Sequence, residues 1–311
     1  MIYTVCGKIN KSDMGPTLSH EHFKWESNEE FSLRMYFERN YNEQEIESDF
    51  ERLVPVIKEL YKLSCRTIVE ASPPIGGQNL KLLKRLSEET KVNIVPCTGW
   101  NVNKSVYKLF PYEFREQLAK RWVSDFNEGL DVIEGTIIRP GYIKLLLDRG
   151  ELSEVDIEMI KAAIIASKET GMPIHCHILE AEMVYSVIDL LERENADFSK
   201  FLWAHADKEK DLKTIKYAAN KGMWIGVDTI HFGEYKEYVE LLKNIINSGF
   251  KDKLLLSQDY DFIEEMDRTG NVKSCISFFD KFIPYCLNGG FDVKIINDII
   301  VSNPAEYYNI P

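Results

Sequence analysis

The chain has 311 residues, 44% of them apolar, with a net charge of −12 and six cysteines. No run approaches the ~20 apolar residues of a membrane span, MIYTVCGKIN lacks the basic segment and apolar stretch of a signal peptide, and the acidic excess argues against a nucleic-acid partner. Cys6, Cys65, Cys97, Cys176, Cys275 and Cys286 form no CxxC pair; they read as reduced, mostly buried thiols, and the protein is expected to be cytoplasmic.

Along the chain, β-rich runs near 16–22, 66–71, 92–98, 141–147, 172–177, 201–205, 222–228 and 253–259 alternate with amphipathic stretches. The first of these, 43–63, places Ile46, Phe50, Leu53, Val54, Ile57, Leu60 and Tyr61 on one helical face. The others run over 78–90, 111–129, 153–170, 180–194, 208–221, 234–249 and 271–287. Ser153 with Asp156 offers an N-terminal cap and Gly171 a stop. Eight β-α units in order predict an α/β fold, a (β/α)8 TIM barrel, as a single domain over 1–311. Segments 23–42 and 99–110 read as longer loops and 260–270 as a shorter one, on the barrel face that carries active sites.

Polar residues recur at the ends of those strands. His20 and His22 share one side of the first. Lys144, His177, His205 and Asp259 each close a short apolar run: GYIKLLL, MPIHCH, FLWAH and KLLLSQD. Any one of them alone is ordinarily structural, and Asp259 alone would be a helix cap. Repeated around a barrel they converge on one mouth, and imidazoles with carboxylates there suit a hydrolytic metal site, where bound water loses its proton near neutrality. Lys144 is a poor ligand as an ammonium, but CO2 converts it to a carbamate, an anionic bridge between two metals. His175 shares parity with His177, so either could be the ligand, whereas Cys176 faces the helices. His231, in DTIHFGEY, is an exposed loop histidine or a substrate contact.

These residues stand in MGPTLSHEHF, TIVEASPPIGG, VPCTGW, GYIKLLLD, ETGMPIHCH, LWAHADKEKDL, WIGVDTI, LLLSQD and SNPAEYY, in order over nearly the whole chain. In these motifs the chain resembles the phosphotriesterase family of the amidohydrolase superfamily. The resemblance implies two divalent metal ions, usually zinc with manganese or cobalt compatible, and hydrolysis by a bridging hydroxide. It implies that His20, His22 and Asp259 hold the more buried metal, His177 and His205 the more exposed one, and carboxylated Lys144 bridges them. It favours His177 over His175 as ligand and gives Asp259 the proton of the attacking hydroxide. His175 and Glu70, which stands where an aspartate is usual, are expected to support the ligands. Lactone hydrolysis is the expected activity, on a small lactone, phosphorylated sugar lactones included, with organophosphate or amide hydrolysis as alternatives. A non-catalytic metal protein is the competing class, and no ligand is lost to support it. Trp100 and Asn101 replace the tyrosine that lactonase members carry after the third-strand TG, and YDFIEEMDRTGN replaces a stretch rich in glycine and tyrosine. Phe23, Trp25, Trp100, Tyr107, His231, Tyr260 and Arg268 are the pocket candidates; Arg268 would meet a substrate anion or pair with Glu264 or Glu265. The expected partner is a small-molecule substrate, with neither nucleic acid nor membrane, and a homodimer is left open.

Overall fold

The computed structural model describes residues 1–26, 28–38, 41–100, 113–147, 149–209 and 211–311. Asn101 and Tyr107 lie outside the described residues. Eight parallel strands form a TIM barrel: β1 Thr17–Glu21, β2 Thr67–Glu70, β3 Asn93–Val95 continued by Cys97–Trp100, β4 Tyr142–Leu146, β5 Ile174–His177, β6 Phe201–Ala204, β7 Trp224–Val227 and β8 Leu254–Leu256. Helices α1 Glu43–Lys62, α2 Leu80–Thr90, α3 Phe114–Asn127, α4 Glu154–Thr170, α5 Ala181–Arg193, α6 Leu212–Asn220 and α7 Tyr235–Asn247 alternate with them. Ser153 and Asp156 cap α4 reciprocally, and Gly171 ends it at φ 77°. The last helical stretch is broken into Val272–Cys275, a π-turn at Phe278–Phe282 and Ile283–Asn288.

Pro96 splits β3 because it has no N–H to give to a ladder. The first half pairs with β2 and the second with β4. In that second half Gly99 lies beside Lys144. Its φ is +141°, and a Cβ there would fall 1.9 Å from the Lys144 carbonyl oxygen, so only glycine allows the two strands this approach.

β8 and β1 close the barrel through side chains along β8 and through backbone bonds past its end. Ser19 Oγ donates to Leu256 O at 2.8 Å, and His20 N donates to Ser257 Oγ at 2.9 Å. Beyond the strand ends, Asp259 N donates to His20 O, His22 N to Tyr260 O and Phe262 N to His22 O. Glu21, buried between the two histidines of the pair, accepts from Ser257 Oγ (2.6 Å), Gln258 N (3.1 Å) and Tyr260 N (3.1 Å).

Inside the barrel, Val69, Val95, Cys97, Tyr142, Leu202, Trp224 and Leu255 pack with Ile2, Met14, Tyr307 and Tyr308, so the two ends of the chain fill its lower half. Several features depart from the sequence reading. The segment 260–270 contains a helix, Phe262–Thr269, capped by Asp261 accepting from Glu264 N and ended by Gly270 at φ 62°. The segment 23–42 contains another, Glu29–Phe37. Two hairpins, Ile2–Thr4 with Gly7–Ile9 and Asp131–Ile133 with Thr136–Ile138, have strands too short to give a periodic signal. Among the described residues, no helix is long and apolar enough to cross a membrane.

Candidate metal centre

The strand ends bring five imidazoles, an amine and two carboxylates together. His20 Nε2 lies 2.8 Å from Lys144 Nζ and 3.2 Å from Asp259 Oδ1. His22 Nε2 is 3.4 Å from the same Asp259 oxygen, and Asp259 Oδ2 is 3.8 Å from His205 Nδ1. The His177 and His205 rings stand 4.3 Å apart, nearly perpendicular. His205, directly after β6, and Asp259, three residues past the end of β8, adopt left-handed backbones, φ 65° and 53°. Non-glycine residues rarely do so, and such conformations cost energy that the surroundings must offset. His20, His22 and Asp259 have donor atoms within 4.8 Å of one another, a spacing that could hold a metal ion; His20, His175 and Asp228 form a second such group.

The outward nitrogens of the rings are anchored. His22 Nδ1 meets Ser72 Oγ at 2.8 Å, His20 Nδ1 meets Asp228 Oδ2 at 3.1 Å, and His205 Nδ1 meets Asp228 Oδ1 at 2.7 Å. His175 lies deeper. Its Nε2 faces His20 Nδ1 at 3.2 Å, and its Nδ1 is 3.3 Å from the Tyr308 hydroxyl, which donates to Ser19 O. The hydroxyl's proton is thus committed, His175 carries its own on Nδ1, and its lone pair points at His20 rather than at Lys144 or Asp259. Burial holds His20, His175 and His177 well below the ordinary histidine pKa, with the Lys144 charge adding to the effect. Burial also lowers the Lys144 pKa, against the pull of Asp259 and Asp228. At His205 burial is outweighed by Asp228 and Asp259, and its pKa rises. Asp259 is held far below the carboxylate range by His20 and His205 in spite of burial.

Residues 1–308 match the phosphotriesterase family. This chain belongs to the phosphotriesterase family. The aryldialkylphosphatase of Saccharolobus solfataricus is 26% identical over 97% of both chains. The phosphotriesterase homology protein of Escherichia coli is 22% identical over 81% of this chain and 86% of its own. The N-acetyltaurine hydrolase of Xenopus tropicalis is 22% identical over 98% and 97%. Phosphotriesterase-family proteins are hydrolases with a binuclear metal centre, and the donor set here fits one. Anchored Nδ1 atoms direct the Nε2 lone pairs of His20, His22 and His205 away from their anchors, beside a carboxylate held ionised and a buried lysine whose pKa burial lowers.

Around this phosphotriesterase-family centre the other anticipated residues are distributed unevenly. Glu70 accepts from Phe23 N (3.0 Å) and Ser72 N (2.9 Å), bracing both the turn after His22 and the serine that anchors it; burial pushes its pKa up to about 7. Trp25 packs edge-on against the His22 ring at 5.1 Å. His231 stacks on Tyr260 at 4.0 Å, and burial lowers its pKa to about 4. Arg268 is bound by both oxygens of Glu265, at 2.7 and 2.8 Å, and with His231 and Tyr260 lines a groove of about 430 Å³. Trp100 is not brought to the cluster: it is 1% exposed, among Tyr36, Phe114 and the helix layer. Asp228 and Glu21 went unread in the sequence. Asp228 ends WIGVD as Asp259 ends LLLSQD, so the same strand-end pattern contains it. Glu21 gave no signal, because its role depends on which strand lies next to it.

Proposed function

We propose that this protein hydrolyses the ester bond of a small lactone, using two divalent ions held by His20, His22, Lys144, His177, His205 and Asp259. Zinc is the first choice, and manganese and cobalt suit the same donors. The observation that carries the reading is the convergence of His20 Nε2 and His22 Nε2 on one Asp259 oxygen, with Lys144 Nζ 2.8 Å from the same His20 nitrogen. Bound metals supply Lewis acidity and a water acidified toward neutral pH. The chain's own residues do the rest. Burial favours a neutral Lys144 amine, the form that CO2 carboxylates. Asp259, ionised and partly open to solvent, is placed to take a proton. Trp25 and His231 would flank the substrate. In the groove beside His231 the charge of Arg268 is taken up by Glu265, and Lys236 and Lys281, with Glu234 as the opposing charge, are the cations that would meet an anionic substrate group such as a phosphate.

Amide hydrolysis is the second reading, favoured by relatives named N-acetyltaurine hydrolase that match 98% of the chain. A hydrolysis screen of metal-loaded protein over plain and phosphorylated lactones, esters, N-acetyltaurine and paraoxon-like triesters separates the two. Lactones are expected to turn over fastest. Turnover of N-acetyltaurine with inert lactones would move the assignment to amides, and no turnover of any of them would end the hydrolase reading.

A further inference from the structure

Asp228 makes contacts that no single-ligand role requires. Its Oδ1 accepts from the ring Nδ1 of His205 at 2.7 Å and from the backbone N–H of the same residue at 2.9 Å. Its Oδ2 faces Nδ1 of His20 at 3.1 Å. His20 and His205 belong to different ligand sets in the function proposed above. The carboxylate is buried, at 1% exposure, and the fold makes room for it. Two residues earlier on β7, a Cβ on Gly226 would fall 2.7 Å from Asp228 Oδ2, and 3.1 Å from both Ala204 Cα and Trp203 O. Any side chain there would displace the oxygen that reaches His20. The turn after β6 braces Asp228 from behind: Asp207 Oδ1 accepts from its backbone N–H at 3.3 Å, and Asp207 Oδ2 accepts from Thr229 N at 3.1 Å and from the Thr229 hydroxyl.

We propose that Asp228 is a positioning residue shared by both metal subsites, setting the tautomers of His20 and His205 together so that the two metals are gained and lost as a pair. A carboxylate has no proton to give, so each ring facing it presents Nδ1–H and keeps its Nε2 lone pair for a metal. An ordinary supporting residue orients one ligand. His22 has such a partner in Ser72, whose hydroxyl serves that ring alone among the metal ligands. The backbone contact also steadies His205 in its left-handed conformation. The inference rests on the ligand assignment above, but not on the substrate.

The test is metal titration of chelated and reloaded protein, with ¹⁵N NMR of the imidazoles in the metal-free state. Wild type is expected to show Nδ1–H for both His20 and His205. Asp228→Ala removes both oxygens, so neither His20 nor His205 keeps the acceptor that sets its Nδ1–H tautomer. Both metals should then weaken, by about 10–100-fold each. Ser72→Ala should weaken one metal more than the other. Should Asp228→Ala fail to fold, Gly226→Ala serves, and it should lower both affinities together. Loss of one metal with the second at wild-type affinity would overturn the proposal, as would an Nε2–H tautomer at His20 or His205 in wild type. A wild-type protein that binds two metals in this coupled way but hydrolyses no substrate would refute the proposed function and leave Asp228 in its role.

Discussion

Lys144 spends hydration energy to sit against His20, and an ammonium in that place repels any cation bound by the same imidazole. Carboxylation inverts the charge. Lys144→Ala is therefore expected to lose metal and turnover together, with partial recovery on adding a short carboxylic acid; metal analysis before and after the addition checks it. The two histidines of β5 should separate in the same assay. His177→Ala should cost metal affinity heavily, and His175→Ala only about 10–100-fold, because the His175 lone pair is directed at His20 Nδ1. Glu70 offers a pH test. Its pKa rises from 4.5 to about 7, so the folded state binds the proton more tightly than the unfolded chain. Its contribution to stability is fully present below pH 4.5 and is lost as pH rises through about 7. In metal-free protein, the stability of wild type relative to Glu70→Gln should fall by about 3 kcal/mol between pH 4.5 and 8. Chemical denaturation at a series of pH values measures it, and a flat difference would mean an ordinary carboxyl.

At the level of elements, the seam of the barrel is β8 against β1, where side chains join the strands and backbone bonds take over past the end of β8. Glu21 satisfies three donors there, and the turn it holds carries Asp259. Glu21→Ala leaves Ser257 Oγ and the Gln258 and Tyr260 amides without that acceptor in a buried place, a cost of about 3 kcal/mol or more. The expected fall in melting temperature is about 5 °C, with loss of metal affinity because the Asp259 backbone relaxes. A variant that melts lower but binds metal normally would uncouple the seam from the site. The helix Phe262–Thr269 belongs to the same seam: its cap Asp261 also accepts from Trp25 N at 2.6 Å, joining the β8 and β1 loops.

In the whole molecule, the chain ends reach the site from below. The N-terminal ammonium donates to Ile310 O at 2.6 Å, Ile310 N donates to Met1 O, and Tyr308 rises inside the barrel to His175. Tyr308→Phe keeps the volume and removes the hydroxyl. It strands Ser19 O and His175 Nδ1, which should cost about 1–3 kcal/mol. Metal-loaded protein should lose stability along with metal-free protein, since the contact lies beneath the ligands; thermal melts of both forms decide it.

Much of this was legible from residues alone. Alternation of short apolar runs with amphipathic stretches determined the barrel, because strand and helix periods are local properties of the chain. Single polar residues closing those runs marked His20, His22, Lys144, His177, His205 and Asp259, because parallel strands deliver their ends to one face. The cap residues Asp261 and Gly270 were equally visible, yet eight residues make too short a helix for periodicity to outweigh a loop reading. What only the tertiary structure decided is pairwise. Parity left His175 and His177 equal; Tyr308, 133 residues away, is what turns the lone pair of His175 toward His20. Trp100 followed a glycine at a strand end, as a pocket residue would, but it shares strand parity with Thr98, which bonds Asp125 of α3, and so it packs in the helix-facing core. Asp228 and Glu21 act across strands, and which strands are neighbours, and at what register, is set by closure of the whole barrel rather than by any segment of the chain.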